Sequence, residues 1–209
     1  MSQPDPPPRS RFTPDPAVLP GPRRPQADGW EIVIADDLNE KSGELIEKLT
    51  DVPPRSAGTL WFDSPGGSVY SGLAVASVLK LRGLRATGVV AGECSSAALM
   101  PLAACSRRVV TPHCTLLFHP IRWTGEEDMR MEDAAEWARH FADLEKDLDS
   151  LLAGLFGCDP SVLQDWTRPG RFVTGREMVD AGLAELVTLY DGDVWRQLPP
   201  ERGRGRRRT

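Results

Sequence analysis

Two serines, a histidine and a pair of glycines are the residues of this chain with the means for covalent chemistry, and each stands where an apolar run ends. Ser95 and Ser96 follow the run Ala86 to Ala91 through Gly92-Glu93-Cys94 and precede the small apolar stretch Ala97 to Ala104. A serine at a helix start is ordinarily an N-cap, its oxygen spent on backbone N–H groups. The same hydroxyl becomes a nucleophile once an imidazole takes its proton. His119 closes the run Thr115-Leu116-Leu117-Phe118, a place that suits a neutral core histidine and a catalytic base alike. Gly66-Gly67 follow Thr59 to Phe62, and a glycine pair there is either a plain tight turn or a point where a backbone N–H meets an anionic oxygen. The residues by themselves point to a serine hydrolase, with N-cap, core histidine and plain turn standing as the ordinary explanation of each.

Other chemistries have less behind them. Ser64-Pro65-Gly66-Gly67-Ser68 lacks the Gly-Lys-Ser/Thr ending of a P-loop and the third glycine of the dinucleotide fingerprint, which sets nucleotide binding aside. Cys94, Cys105, Cys114 and Cys158 form no C-x-x-C pair and read as structural thiols. His113, His119 and His140 have no partners at zinc-type spacing, so no metal is expected. Lys41, Lys48, Lys80 and Lys146 sit at no strand end near the serines, which argues against a Ser–Lys dyad.

The elements that must position these residues alternate in period. Glu31 to Ile34, Thr59 to Phe62, Ala86 to Ala91, Val109-Val110, Thr115 to Phe118 and Ala184 to Thr188 read as strands. Leu38 to Leu49, Val69 to Leu81, Ala97 to Ala104, Ser161 to Trp166 and Gly175 to Ala181 read as helices, with Gly83 ending the second. The longest periodic segment joins Ala134, Trp137, Ala138, Phe141, Leu148, Leu151, Leu152 and Leu155 in one apolar stripe. This order predicts an α/β fold of largely parallel strands covered by helices, whose carboxyl strand ends collect the catalytic candidates.

The chain has 209 residues and 22.9 kDa, with 40% hydrophobic and 26% charged residues, which fits one soluble domain. No run approaches the roughly 18 consecutive apolar residues of a spanning helix, and no apolar signal segment opens the chain, so a cytoplasmic protein without membrane contact is expected. Nine prolines fall in the first 25 residues, and residues 202–208 hold five arginines. Residues 1–28 are therefore expected to be a disordered Pro-rich head and 199–209 a disordered Arg-rich tail, leaving 29–198 as the folded domain. The net charge of −5 conceals a division, since residues 29–200 carry 16 basic against 26 acidic side chains. An acidic body and a tail without interleaved aromatics argue against nucleic acid.

At these same residues the sequence resembles the Clp protease proteolytic subunit family, ring-forming serine peptidases with a crotonase-like spiral of β-β-α units and a long handle helix. Asp63 to Val69 is similar to the family's oxyanion turn, and Gly92 to Ala98 to its nucleophile segment. Leu116 to Pro120 is similar to the strand that delivers the base, and Arg171 to Thr174 with Ala181 to Leu183 to the closing segment. The resemblance runs from about Trp30 to Thr188. It implies Ser96 rather than Ser95 as nucleophile, His119 as base, and the N–H groups of Gly67 and Ala97 as the oxyanion hole. It also implies a peptide or unfolded-protein substrate, a homo-oligomeric ring, an AAA+ unfoldase as partner, and no metal or organic cofactor.

The departures bear on activity. The position of the family's triad aspartate is Gly170, and Asp165, five residues earlier, becomes the third member only if residues 166–169 rearrange. Loss of that aspartate's role costs roughly 10⁴-fold in turnover in the serine proteases. Ala98 replaces a glycine and Glu93 a glutamine, and the Pro-rich head does not resemble the family's axial loops. The alternatives are a catalytically weak or silent subunit acting as a structural or regulatory ring partner and, more distantly, an acyl-CoA enzyme on the same fold.

Overall fold

The computed structural model describes residues 29–123 and 128–199. The disordered head and tail expected from composition lie outside these residues, Pro199 excepted, and Pro199 is tethered by its carbonyl to Arg107 at 2.8 Å.

Alternation and β-branching produce the strands, and apolar stripes the helices, in the order β1 (Trp30–Asp37), α1 (Leu38–Asp51), β2 (Ala57–Gly66), α2 (Val69–Leu81), β3 (Arg85–Cys94). A single 3₁₀ turn (Ser96–Ala98) then leads into α3 (Leu99–Ala104), followed by β4 (Arg107–Val110), β5 (Thr115–Phe118) and the long α4 (Met131–Phe156). The chain closes with α5 (Pro160–Thr167), β6 (Arg171–Thr174), α6 (Gly175–Asp180), β7 (Glu185–Leu186) and α7 (Val194–Gln197). The main sheet has the order β1-β2-β3-β4-β7 and every pairing in it is parallel. This is the α/β fold expected, with the long handle helix in place.

β3 organises the site because it serves two partners. Its Thr87–Val90 half pairs with β4, whereas Glu93 near its end pairs with Thr115 of β5. β5 in turn pairs antiparallel with β6, Leu116 opposite Val173 and Phe118 opposite Arg171. The sheet thereby splays at the carboxyl end of β3, opening a cleft beside the serines. Ile34, Leu60, Phe62, Leu79, Val90, Leu102 and Leu116 are completely buried beneath it. Each such side chain contributes about 1.5–3 kcal/mol relative to exposure.

Arg108 fastens the back of this arrangement. Its guanidinium donates to the carbonyls of Leu183 at 2.7 Å, Cys105 at 3.0 Å and Ala103 at 3.3 Å, and lies over the Phe156 ring at 5.4 Å. Burial lowers its pKa from the ordinary arginine value. The cysteines are free, with Cys94, Cys105 and Cys114 buried, and burial pushes the Cys105 thiol up to about 12.

Three features differ from the expectation. The helix expected over Ala97–Ala104 opens with the 3₁₀ turn, whose Ser96 and Ala97 line the cleft. β6 and α7 arise in stretches too short to show a period. No member of the apolar stripe expected on α4 is fully buried: Leu148, Leu152 and Leu155 are half-buried against the core, Trp137 and Leu151 remain 41% and 38% exposed, and the fully buried residues are the neighbouring Ala153 and Phe156.

Candidate active site

The turn after β3 is held from two sides. The Ser95 N–H donates to the Ser64 carbonyl at 3.0 Å, tying it to the β2 turn, and the Ser64 hydroxyl donates to the Asp36 carbonyl at 2.5 Å, tying that turn to β1. Gly66 makes the close approach feasible, since a Cβ there would lie 2.6 Å from the Ser95 carbonyl oxygen and 2.7 Å from the Ser96 Cβ. On the other side, the Ser95 Oγ accepts from the Leu117 N–H of β5 at 3.1 Å and donates to the Glu93 carboxylate at 2.6 Å. Glu93 thus spends its charge on Ser95, away from the position an oxyanion would occupy.

The two serines are thereby given different work. Ser95 is 1% exposed with both its donor and an acceptor site committed. Ser96 sits at φ +55°, in the left-handed region that a non-glycine residue enters only when its surroundings hold it there, at a cost of roughly 1–3 kcal/mol. Its hydroxyl has no hydrogen-bond partner among the described residues and faces a cavity of about 440 Å³. Neither serine caps the following turn through its side chain, so the N-cap explanation does not hold.

Gly67, Ser96, Ala97 and His119, which the sequence placed at three separate strand ends, all line that one cavity. The amino end of α2 borders it too, through Ser68 and Val69, so unpaired N–H groups and the positive end of a helix dipole face the same space. Phe118 anchors His119 from below, edge-on to Trp166 with ring centroids 5.1 Å apart. His119 Nδ1 lies 2.5 Å from the carbonyl oxygen of Pro120. Ser96 and His119 share the wall without a direct hydrogen bond, a contact that commonly tightens only with substrate in place.

The third member expected from Asp165 is not assembled. Asp165 is exposed on α5 and does not reach the cavity, because α5 continues unbroken to Thr167 and turns Trp166 and Thr167 inward instead. Gly170 does lie beside His119: a Cβ on it would be 3.0 Å from the His119 Cβ. Its φ of +113°, however, is a conformation that an aspartate adopts only under strain.

The opposite wall is one face of α4. Phe141, Glu145, Leu148, Asp149 and Leu152 recur at helical spacing toward the cavity, and Met100 of α3 adds to the apolar part. Arg168 spans the two carboxylates, 2.7 Å from Glu145 and 2.9 Å from Asp149. Sequence reasoning passed over this acidic pair, although its spacing from Leu148 and Leu152 was the available signal. Among the described residues no cluster of three or more His, Cys, Asp or Glu side chains could hold a metal ion.

Comparison with known proteins identifies the family. A family model described as Clp protease matches residues 32–190. A curated relative from Chlamydia muridarum, "ATP-dependent Clp protease proteolytic subunit 1", is 35% identical over 173 residues, covering 80% of this chain and 90% of its own. A proteolytic subunit 1 from Rhodococcus jostii is 27% identical over 162 residues, 76% of this chain and 73% of the relative. A proteolytic subunit from Ostreococcus tauri is 28% identical over 161 residues, 76% and 79% of the two chains.

Proposed function

This chain belongs to the Clp protease family, whose proteolytic subunits are serine peptidases, and from that premise we propose that Ser96 is its nucleophile and His119 its general base. The observation that carries the assignment is the convergence of Gly67, Ser96, Ala97 and His119 on one cavity, with Ser96 alone of the two serines left uncommitted. His119 Nε2 takes the Ser96 hydroxyl proton as Oγ bonds to the carbonyl carbon of a peptide. The N–H groups of Gly67 and Ala97 donate to the oxyanion that develops. The imidazolium then gives its proton to the departing amine, the C–N bond breaks, and an acyl-enzyme remains on Ser96. Water, deprotonated by the same histidine, releases the acid product and regenerates the serine.

The substrate is a peptide or unfolded protein, admitted to a cavity whose far wall is apolar at Met100, Leu148 and Leu152. Assembly as a homo-oligomeric ring is supported by large apolar side chains left partly in water, Phe172 at 64% and Trp137 at 41% exposure among them. The "ATP-dependent" in the relatives' names supports an ATP-driven unfoldase as partner. Four free thiols suit a reducing compartment and support a cytoplasmic location.

Gly170 favours a second reading, a weak or silent subunit that fills ring positions, because no carboxylate supports His119 from that position. Intact-mass analysis after treatment with a fluorophosphonate separates the two. The peptidase reading expects one adduct per chain, mapped to Ser96, absent in Ser96→Ala and slowed at least 100-fold in His119→Ala. Folded, assembled protein that takes up no probe at neutral pH belongs to the silent reading.

A further inference from the structure

A histidine that serves as base toward a hydroxyl must present an unprotonated Nε2, so its single neutral proton has to sit on Nδ1. Free imidazole side chains prefer the opposite tautomer, and the preference is overcome by an acceptor placed at Nδ1. In this chain the carboxylate candidates fail on geometry. Asp165 is exposed on α5 and does not line the cavity, Gly170 has no side chain, and Glu145 and Asp149, which do line it, are paired with Arg168 and make no hydrogen bond to His119 among the described residues. What faces Nδ1 is the carbonyl oxygen of Pro120, at 2.5 Å. A carbonyl oxygen accepts and cannot donate, so the contact exists only with the proton on Nδ1.

We infer that the main-chain carbonyl of Pro120 orients His119, holding it as the Nδ1–H tautomer with Nε2 turned to Ser96. This inference rests on the peptidase reading above and names the group that makes its base competent. The proline ring supports the role in two ways. It fixes φ of residue 120, which restricts the swing of its own peptide, and it biases His119 toward extended backbone, in line with the strand that delivers it. Phe118 and His119 are further restrained by the packing of Phe118 on Trp166 and by the β5–β6 ladder. A carbonyl differs from a carboxylate in one respect, since it is neutral. It selects the same tautomer as an aspartate would, through a weaker bond, and attracts the imidazolium formed during attack less strongly. The resulting peptidase keeps a correctly poised base and loses only part of the rate that a charged partner supplies.

The test reads the tautomer directly, without turnover. Full-length protein labelled with ¹⁵N,¹³C-histidine is examined by magic-angle-spinning NMR above the pH at which the imidazoles lose their charge, with His119→Gln assigning the His119 signals among the three histidines. The expected result is a protonated Nδ1 and an unprotonated Nε2 for His119, with the Nδ1–H resonance displaced downfield by the short bond. In Pro120→Gly, which keeps a carbonyl but frees its peptide, a mixture of tautomers and about 10-fold slower fluorophosphonate labelling are expected. An Nε2–H tautomer in wild-type protein overturns the inference even where Ser96 takes up the probe, in which case the peptidase reading stands without it. Absence of labelling beside an Nδ1–H tautomer overturns the peptidase reading and, with it, the positioning role, while leaving the contact itself measured.

Discussion

At the scale of single residues, the two adjacent serines are separated by what their backbones and neighbours require of them. Ser95 bonds Glu93 and the β5 backbone, whereas Ser96 bears positive φ with its hydroxyl in the cavity. Ser95→Ala should cost about 2 kcal/mol in denaturant unfolding, one buried hydroxyl with two bonds, yet leave the adduct on residue 96. Ser96→Gly should do the reverse, abolishing the adduct while raising stability by about 1 kcal/mol, because glycine accepts φ +55° without strain. Loss of labelling in folded Ser95→Ala together with labelling in Ser96→Gly would reverse the assignment. Such a distinction was legible in the sequence only as register within a family motif. The reasons for it, a left-handed φ and three hydrogen bonds across chain distances of 2 to 31 residues, emerge when β2, β3 and β5 are brought together. Pro120 shows the limit more sharply. Every residue has a carbonyl, so no residue type announces that this one points at an imidazole.

At the scale of elements, legibility tracked the length and burial of the apolar run. α2 and β5 fall on the residues their patterns mark, Val69–Leu81 and Thr115–Phe118, because each is set off by residues that cannot continue it. β6 is four residues long with Arg171, Phe172 and Thr174 exposed and only Val173 buried, so its strand character comes from the β5 ladder rather than from its own composition. Arg108 explains a further part of the frame that periodicity misses. It binds together the end of α3, the segment before β7 and the end of α4 through main-chain carbonyls. Arg108→Met keeps the stem and removes the fork, leaving the Leu183 and Cys105 carbonyls short of a donor. Its expected cost is about 3 kcal/mol, seen as a lower urea midpoint with unchanged slope. Arg108→Lys should recover less than half of this, since one ammonium cannot span carbonyls that a planar fork meets from several directions. A loss within about 0.5 kcal/mol for Arg108→Met would show that α3 and α4 are held by apolar packing alone.

At the scale of the molecule, two opposing features govern association. Residues 29–200 carry ten more acidic than basic side chains, so copies of this body repel one another over a Debye length, about 8 Å at physiological ionic strength. Against this stand apolar side chains left in water, Trp137 and Leu151 on α4, Phe172 on β6, and Leu189 and Tyr190 beyond β7, the last two 73% and 89% exposed. A fully covered helix with this stripe would need a second surface to bury it, and the body of the chain buries α4 fully only at Ala153 and Phe156 and partly at Leu148, Leu152 and Leu155. The proposed ring assembly would supply the missing surface, and the balance of the two features would make it salt-dependent in a definite direction. Sedimentation velocity should find species that are multiples of 22.9 kDa, shifting to smaller ones as ionic strength falls, because repulsion lengthens in range while apolar attraction is almost unchanged. Trp137→Asp works on both terms at once, removing an exposed ring and adding a charge of the repelling sign, and should dissociate the assembly at a salt concentration where wild type stays whole. Its circular dichroism should match wild type, since residue 137 lies where α4 gains little from this chain's own core. A wild-type protein that stays monomeric at micromolar concentration in high salt would sink the ring, and a Trp137→Asp variant that assembles normally would move the contact away from this face of α4.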